Sequence, residues 1–132
     1  NEYASKIEQR KQAEDERYKG NEYMKSKEFD EAVTCYTKSI ELDSEEPATF
    51  SNRAMAYLRQ KKYAAAIFDS NQCLKLDSNY IKAYHRRGKA YMAKDQFEEA
   101  IKDFQRILES EPDNKEINAN LRECREAVNA KL

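Results

Sequence analysis

Residues 81–114 read IKAYHRRGKAYMAKDQFEEAIKDFQRILESEPDN, and a stretch of the same length and pattern occurs twice before it. The two glycines of the chain, Gly20 and Gly88, lie 68 residues apart, and half of that separation also aligns the sequence. Residues 13–46, 47–80 and 81–114 therefore superpose without a gap. A fixed period of 34 residues indicates a repeat architecture, in which each unit is stabilised by stacking on its neighbours.

Four positions of the 34-residue block keep their residue type in all three copies. Position 8 is small, positions 11 and 17 are aromatic, and position 20 is alanine. In that order the residues are Gly20, Ala54, Gly88; Tyr23, Tyr57, Tyr91; Phe29, Tyr63, Phe97; and Ala32, Ala66, Ala100. Each block has the apolar spacing of two amphipathic helices with a break near position 15. The glycine position predicts a site where two helices approach too closely for a side chain.

The residues outside the three blocks also have a helical pattern. Residues 1–12 continue it into the first block, and their many charges are typical of a solvated lead-in helix. Residues 115–132 carry apolar side chains on one face, which predicts a capping helix over the third block. These side chains are Ile117, Leu121, Cys124 and Val128.

The composition excludes several classes of function. Two glycines are too few for a glycine-rich phosphate loop, and a net charge of -1 gives no general attraction to nucleic acid or to anionic membranes. The cysteines, Cys35, Cys73 and Cys124, form no CxxC pair, which disfavours a disulfide framework and a zinc site. We therefore expect no metal, no cofactor, and free thiols in a reducing compartment, the cytoplasm with the nucleus as a second location.

The charge of the first helix in each block is concentrated on one face. At about 100° per residue, six positions lie opposite the side that the conserved apolar residues occupy. They hold Glu14, Arg17, Tyr18, Asn21, Met24 and Lys25; Ala48, Ser51, Asn52, Met55, Leu58 and Arg59; and Lys82, His85, Arg86, Lys89, Met92 and Ala93. Six cations and one acid lie on this face, and we expect its three methionines to point away from the core. Flexible thioethers beside cations suit a groove for a peptide with acidic and apolar groups.

The period and the small-aromatic-aromatic-small pattern resemble the tetratricopeptide repeat (TPR), over 102 of the 132 residues. The resemblance implies an all-α fold: a right-handed solenoid of three helix-turn-helix repeats, 13–46, 47–80 and 81–114, with a C-terminal capping helix. It also implies that the charged face of each first helix lines a concave groove.

Within this groove the sequence resembles the two-carboxylate clamp of TPR co-chaperones. These domains bind the C-terminal Glu-Glu-Val-Asp of the heat-shock protein 90 and heat-shock protein 70 chaperones. The resemblance rests on Arg17-x-x-x-Asn21, the triplet Ser51-Asn52-Arg53 and Lys82-x-x-x-Arg86, with Arg17 where the family has lysine. It implies that the tail carboxylates are held by Arg17, Asn21, Asn52, Lys82 and Arg86. Secondary peptide contacts are then expected from Met24, Met55, Leu58, Arg59, His85, Lys89 and Ala93.

The interpretation is therefore an adaptor that binds chaperone tails, with other subunits of an assembly complex as further partners. A general TPR scaffold for another acidic peptide or a partner domain is the first alternative. Nucleic acid is a weaker one, because residues 81–94 are basic but lack exposed aromatic rings for base stacking. No membrane partner is expected. An enzyme is disfavoured because the one histidine, His85, has no nucleophile or acid at a suggestive spacing.

Overall fold

The computed structural model describes residues 1–131, and this part of the chain consists of helices and turns without a strand. The seven helices are α1 Glu2–Lys25, α2 Phe29–Leu42, α3 Pro47–Arg59, α4 Tyr63–Leu76, α5 Ile81–Ala93, α6 Phe97–Ser110 and α7 Lys115–Ala130. Helices α1 and α2, α3 and α4, and α5 and α6 pair as three hairpins, and α7 packs on α6. The predicted all-α solenoid with a capping helix is confirmed.

The turn inside each hairpin has one backbone geometry. Lys27, Lys61 and Asp95 have φ of 60°, 62° and 60°, and all three occupy position 15 of the block. In the first turn the amide of Glu28 donates to the carbonyl of Tyr23 at 2.9 Å, which closes the end of α1 in a Schellman motif. The predicted break near position 15 is therefore confirmed, although no glycine supplies the left-handed residue.

The first helices of the hairpins form an inner layer. Helix α3 packs on both α1 and α5, whereas no comparable contact joins α2 to α4 or α4 to α6 within residues 1–131. The first helices are thus closer together than the second helices, so the solenoid curves with α1, α3 and α5 on its concave side. The helices that carry the predicted charged face are therefore those of the concave layer.

Both glycines are required for space and not for backbone freedom, because neither has a positive φ. A Cβ on Gly20 would lie 2.6 Å from the ring of Tyr36, and a Cβ on Gly88 would lie 2.7 Å from the ring of Phe104. The close approach that the sequence predicted is thus made by an aromatic ring from the second helix of the same hairpin. In the middle hairpin the glycine position holds the larger Ala54, and the position of the aromatic ring holds the smaller Ser70, which is fully buried.

Two arginines of the inner layer connect successive hairpins. Arg53 of α3 binds Asp69 of α4 through two hydrogen bonds of 2.7 and 2.8 Å, and its third nitrogen donates to Thr37 of α2 at 3.1 Å. Each guanidinium therefore joins the acid of its own hairpin to the outer helix of the hairpin before it. Arg87, Asp103 and Asn71 repeat this arrangement at 2.9, 2.6 and 2.9 Å.

This bridge was missed in the sequence, which placed Arg53 beside the clamp. The 34-residue spacing of Arg53 from Arg87, and of Asp69 from Asp103, is the signal that could have revealed it. Asp69 and Asp103 are 1% and 3% exposed. Burial raises the pKa of both carboxyls, and the hydrogen bonds from the arginines oppose that effect.

The two ends of the solenoid differ. The capping residues Ile117, Leu121 and Cys124 are buried against Phe104 and Ile107, so α7 covers the third hairpin. Residues 1–12 are exposed throughout, and from Glu2 onward they belong to the same helix as the first repeat.

The three cysteines are free and buried. Within residues 1–131, no helix combines the length with the apolar character that crossing a membrane requires.

Replacing Gly88 by alanine is expected to destabilise the protein by about 1–2 kcal/mol, although alanine favours helix. Overpacking against the Phe104 ring costs about 1–3 kcal/mol, while the helix propensity gained is at most about 1 kcal/mol. Urea unfolding followed by circular dichroism measures this difference. In a Phe104→Leu background the ring is absent, so the same substitution should be neutral or stabilising. A stabilising Gly88→Ala in the wild-type background would contradict the proposed contact.

Replacing Asp103 by asparagine is expected to lower the free energy of unfolding by about 3 kcal/mol, because it leaves the Arg87 charge partly buried without its counter-ion. The matched control is Glu22→Gln, which removes the partner of Lys25 in a surface pair of 3.0 Å whose side chains are 72% and 75% exposed. That substitution should cost less than about 1 kcal/mol. Equal losses for the two variants would show that the bridge does not stabilise the stack.

Candidate peptide-binding groove

The five predicted clamp residues all come from the inner layer. Arg17 and Asn21 lie one helical turn apart on α1, Asn52 lies on α3, and Lys82 and Arg86 lie one turn apart on α5. Since α3 packs between α1 and α5, its asparagine lies between the Arg17 and Asn21 pair and the Lys82 and Arg86 pair. The five predicted clamp residues thus come from three neighbouring helices of the inner layer.

Asn21 and Asn52 are held together by a hydrogen bond, and a buried tyrosine fixes the pair. The Oδ1 atom of Asn21 accepts from the hydroxyl of Tyr36 at 2.6 Å and from Nδ2 of Asn52 at 3.1 Å. Burial raises the pKa of Tyr36, so its phenol stays protonated and remains a donor. Because its oxygen already accepts two hydrogen bonds, Asn21 can interact with a ligand through the donors of its NH2 group.

Arg86 is a partly buried cation that has no acidic partner among residues 1–131. Burial lowers the pKa of its guanidinium, and the groups that oppose this effect are Tyr80, Cys73 and Tyr36. Its Nε atom is buried and has no hydrogen-bond partner among residues 1–131. Arginine stays protonated in proteins, so the groove contains a charged and incompletely satisfied donor. Such a group is stabilised by an anion that enters the groove.

Arg17 of the first helix influences the same two tyrosines as Arg86. Both Arg17 and Arg86 oppose the burial effects that raise the pKa values of Tyr36 and Tyr80. The two guanidinium groups are therefore close enough to influence the same two phenols. Arg17 is only 16% exposed, and its one ion pair in the described part of the chain is a long contact of 3.9 Å with Glu14.

A cavity of about 210 Å³ adjoins Arg17 between α1, the end of α2 and the start of α3. It is lined by Arg10, Ala13, Glu14, Arg17, Ser39, Asp43, Glu46 and Thr49. The lining mixes cations and acids, so this cavity favours no ligand charge and does not by itself define a site.

The methionine side chains are more buried than their positions on the helical wheel predicted. Met24 and Met92 are partly buried, and they pack against the clusters that contain Tyr36 and Phe104 respectively. The expectation that all three methionines point away from the core is therefore wrong for these two. A helical wheel treats a helix in isolation, whereas the neighbouring helices here close over the edges of its face. Met55 is also partly buried, but it belongs to none of the core clusters.

The other predicted contact residues lie in different surroundings. Leu58 packs against the cluster that contains Ala54, and Arg59 lies 5.8 Å from the centre of the Phe29 ring. Ala93 and Lys82 are exposed. The structure thus brings Leu58 and Arg59 toward the neighbouring helices and leaves Lys82 accessible from solvent.

An acid from the capping helix enters the third-repeat end of the groove. Glu116 of α7 lies 2.9 Å from Nζ of Lys89 and 3.5 Å from Nε2 of His85. Lys89 and His85 were both predicted peptide contacts, and the charged face was expected to include one acid, Glu14. Sequence reasoning missed Glu116 because it lies outside the three blocks, on a helix interpreted only as a lid. The hydroxyl of Tyr36 was missed as well, although a tyrosine rather than phenylalanine at its position was a possible signal.

Family models match most of the repeat region. Models described as "Tetratricopeptide repeat" match residues 48–80 and 81–114, and a model described as "TPR repeat" matches residues 20–61. Among curated proteins, RNA polymerase II-associated protein 3 of Mus musculus is 45% identical over 113 residues, which are 86% of this chain. The same match is 17% of the mouse protein, so the chain spans about one sixth of that relative.

Solved TPR domains of the same relative are similar in structure. The first TPR of Spaghetti (RPAP3), bound to the HSP90 peptide SRMEEVD, is 44% identical with a TM-score of 0.88, and the match covers 90% of this chain and 94% of that chain. The second TPR domain of human RPAP3, in complex with the HSP70 peptide SGPTIEEVD, is 35% identical with a TM-score of 0.80 over 91% of this chain and 98% of that chain.

Residues 52–114, with NRAMAYLRQKKY and KAYHRRGKAY, resemble clamp domains of the RNA polymerase II-associated protein 3 and sperm-associated antigen one type. The first resemblance is confirmed by these matches. The second stays a prediction.

The pKa of His85 is expected to respond in opposite directions to two neighbouring substitutions. Burial lowers this pKa, Arg86 and Lys89 lower it further, and Glu116 raises it. Glu116→Gln should therefore lower the pKa of His85, whereas Lys89→Gln should raise it. The chain has one histidine, so the Hε1 proton of its ring gives a single resonance that an NMR titration can follow. A rise in Glu116→Gln would show that the carboxylate does not face the imidazole in solution.

Proposed function

Because this chain belongs to the tetratricopeptide repeat family, we propose that it is a co-chaperone module that binds the acidic C-terminal tail of heat-shock protein 90 or heat-shock protein 70. The relatives described above include TPR domains bound to HSP90 and HSP70 peptides that end in EEVD. The groove of α1, α3 and α5 would hold such a tail by the carboxylates of its terminal aspartate.

The observation that carries the proposal is that Arg86, on an inner helix, is partly buried and has no acidic partner within the described residues 1–131. A cation withdrawn from water and left without an acid costs free energy, and an entering carboxylate recovers it. Arg17 approaches the same phenols as Arg86, and the Asn21 amide is oriented by two hydrogen bonds. A free C-terminal aspartate supplies two carboxylates on one residue, which matches donors on three helices.

Each clamp residue has a distinct part in this proposal. Arg86 would bind a carboxylate in the interior of the groove, and Arg17 would bind from the opposite helix. Asn21 and Asn52 would donate neutral hydrogen bonds, which adds affinity without adding charge. Lys82 is exposed, so it would hold the outer carboxylate and contribute most to salt-dependent attraction.

The residues before the terminal aspartate would lie along the C-terminal halves of α1, α3 and α5. Met55 is the methionine that remains outside the core clusters, so it is the apolar contact that the structure supports best. Met24, Leu58, Arg59 and Ala93 would form the walls. Lys89 and His85 share Glu116, so a peptide acid that reaches them would have to compete with that carboxylate.

The module would act by binding and not by catalysis, with repeats at 13–46, 47–80 and 81–114 between the lead-in and the capping helix. Its location would be the cytoplasm, with the nucleus as a second location, and its buried free cysteines suit a reducing compartment. Other subunits of an assembly complex would be further partners.

The direct test is a calorimetric titration with Met-Glu-Glu-Val-Asp, as the free acid and as the C-terminal amide. The free acid should bind at least about tenfold more tightly, since a charge-assisted hydrogen bond contributes about 1.5–3 kcal/mol and 1.4 kcal/mol is a factor of ten. Its affinity should fall as salt rises. Equal binding of the acid and the amide would exclude a clamp for the terminal carboxylate and leave the fold unaffected.

The matched variants for this test are Lys82→Glu and Lys102→Glu. Both lysines are exposed, but Lys82 lies on the inner helix α5 and Lys102 lies on the outer helix α6. Lys82→Glu should abolish binding of the free acid, and Lys102→Glu should leave it within about twofold, since an exposed charge outside the groove is screened by salt. Circular dichroism should be unchanged in both. Loss of helicity in Lys82→Glu would mean that this residue is structural.

A further inference from the structure

The capping helix α7 contributes an acidic side chain to the inner layer of the solenoid. Glu116 lies 34 residues after Lys82, so it holds the same position of the repeat period as this predicted clamp residue. Its side chain is 57% exposed and lies 2.9 Å from Nζ of Lys89 and 3.5 Å from Nε2 of His85. Both partners belong to the inner helix α5. The first turn of α7 therefore continues the row of positions that the first helices of the three repeats begin.

The pair of Glu116 with Lys89 neutralises a cation at the third-repeat end of the groove. Hydrogen bonding to Lys89 lowers the pKa of Glu116, so this carboxyl is charged at neutral pH. Burial lowers the pKa of His85, and Arg86 and Lys89 lower it further, so the imidazole is mainly neutral under the same conditions. Lys89 is therefore the charged partner of Glu116. Arg86, one turn earlier, has no acidic partner among residues 1–131.

Lys89 lies at the distance from the clamp that the acidic residues of a tail would reach. Lys82, Arg86 and Lys89 are spaced by four and three residues, so they share one face of α5. The seven residues from Lys82 to Lys89 span about 10.5 Å, at about 1.5 Å per residue. An extended peptide covers this length in about three residues, at about 3.3 Å each. In a tail that ends in Glu-Glu-Val-Asp, two or three residues back from the terminal aspartate are the two glutamates.

We propose that Glu116 is a specificity-determining residue, which in the empty groove occupies the place of a glutamate two or three residues before the C-terminus of a bound tail. This inference rests on the proposed function of the groove. A tail glutamate would displace Glu116 from Lys89, and the exposed side chain of Glu116 would turn into solvent. Lys89 would exchange one carboxylate for another, so the glutamates of the tail would add little affinity. Selection would then depend mainly on the terminal aspartate.

The attachment of α7 does not depend on this contact. Ile117, Leu121 and Cys124 bury the apolar face of the helix against the third hairpin. The side chain of Asn114 caps the first turn by accepting from the amide of Ile117 at 3.0 Å. An ion pair between partly exposed side chains adds little to stability by comparison. Replacement of Glu116 is therefore expected to change peptide selection and to leave the fold intact.

The test compares two free-acid peptides, Met-Glu-Glu-Val-Asp and Met-Gln-Gln-Val-Asp, by calorimetric titration into the full chain. The ratio of their dissociation constants measures what the two glutamates contribute. In Glu116→Gln this ratio should rise about two- to fivefold over the wild type, the range expected when an exposed ion pair forms without a competing acid. The rise should come from tighter binding of the glutamate peptide.

Two matched variants separate this contact from a general effect of negative charge. Glu14→Gln removes an acid of α1 that is 55% exposed and holds the same position of its repeat, beside Arg17. Both peptides have the terminal aspartate that Arg17 would hold, so this variant should leave the ratio unchanged. In a Lys89→Gln background the contested cation is absent, so adding Glu116→Gln should leave the ratio unchanged as well. Circular dichroism should be the same for all variants.

Three results would overturn the proposal: an unchanged ratio in Glu116→Gln, an equal rise in Glu14→Gln, or a rise that persists without Lys89. The comparison of free acid and C-terminal amide decides separately about the clamp. If Met-Glu-Glu-Val-Asp binds more tightly as the free acid but the ratio is unchanged in Glu116→Gln, the role of Glu116 is wrong and the proposed function stands. If acid and amide bind equally, or neither binds, both proposals are wrong.

Discussion

The arginine bridge between successive hairpins is the interaction on which the rest of the structure depends. A hairpin of two helices cannot bury its apolar face alone, so the angle and register between neighbours decide whether a groove exists. Arg53 and Arg87 each bind an acid within their own hairpin and an acceptor on the previous one. These are directional contacts in a partly buried place, so they specify register in a way that alanine and leucine packing does not. In the first hairpin the same two positions hold Lys19 and Cys35, and Lys19 pairs with Glu16 instead.

The same stacking separates two surfaces of opposite character. Because the inner helices are closer together than the outer ones, the cations of α1 and α5 belong to the concave layer and the acids of α2 and α6 to the convex layer. A net charge of -1 for the chain is therefore compatible with a basic groove on one side and an acidic surface on the other. The middle hairpin contributes the neutral Asn52 between the cations of α1 and α5.

The repeat period predicted the parts of the fold that every block shares, and it failed where one block differs from the others. The hairpin breaks, the tight site at Gly20 and Gly88 and the capping helix follow from spacing alone. The burial of Met24 and Met92 does not, because it depends on how neighbouring helices close over a face. Glu116 could not be predicted either, since a single acid at the start of α7 has no counterpart one period earlier. The five clamp residues share the groove side of the inner layer, but their role toward a peptide is a matter of binding and stays a prediction.

Arg86 and Arg87 are adjacent in sequence, but their side chains lie in different surroundings. In the third repeat Arg87 contributes to stability, whereas Arg86 is the candidate for function. About 100° of helical rotation turns Arg87 toward Asp103, where its charge is neutralised and its hydrogen bonds are made. Arg86 is turned toward the concave side, where it is partly buried and its Nε atom has no partner within residues 1–131. One period earlier, Arg53 matches Arg87, but Asn52 stands in the place of Arg86. The structural arginine therefore recurs with the stack, whereas the unpaired one occurs once. A desolvated cation without an acid among residues 1–131 adds no stability to the stack, and for this reason the proposed function pairs it with an anion from another molecule.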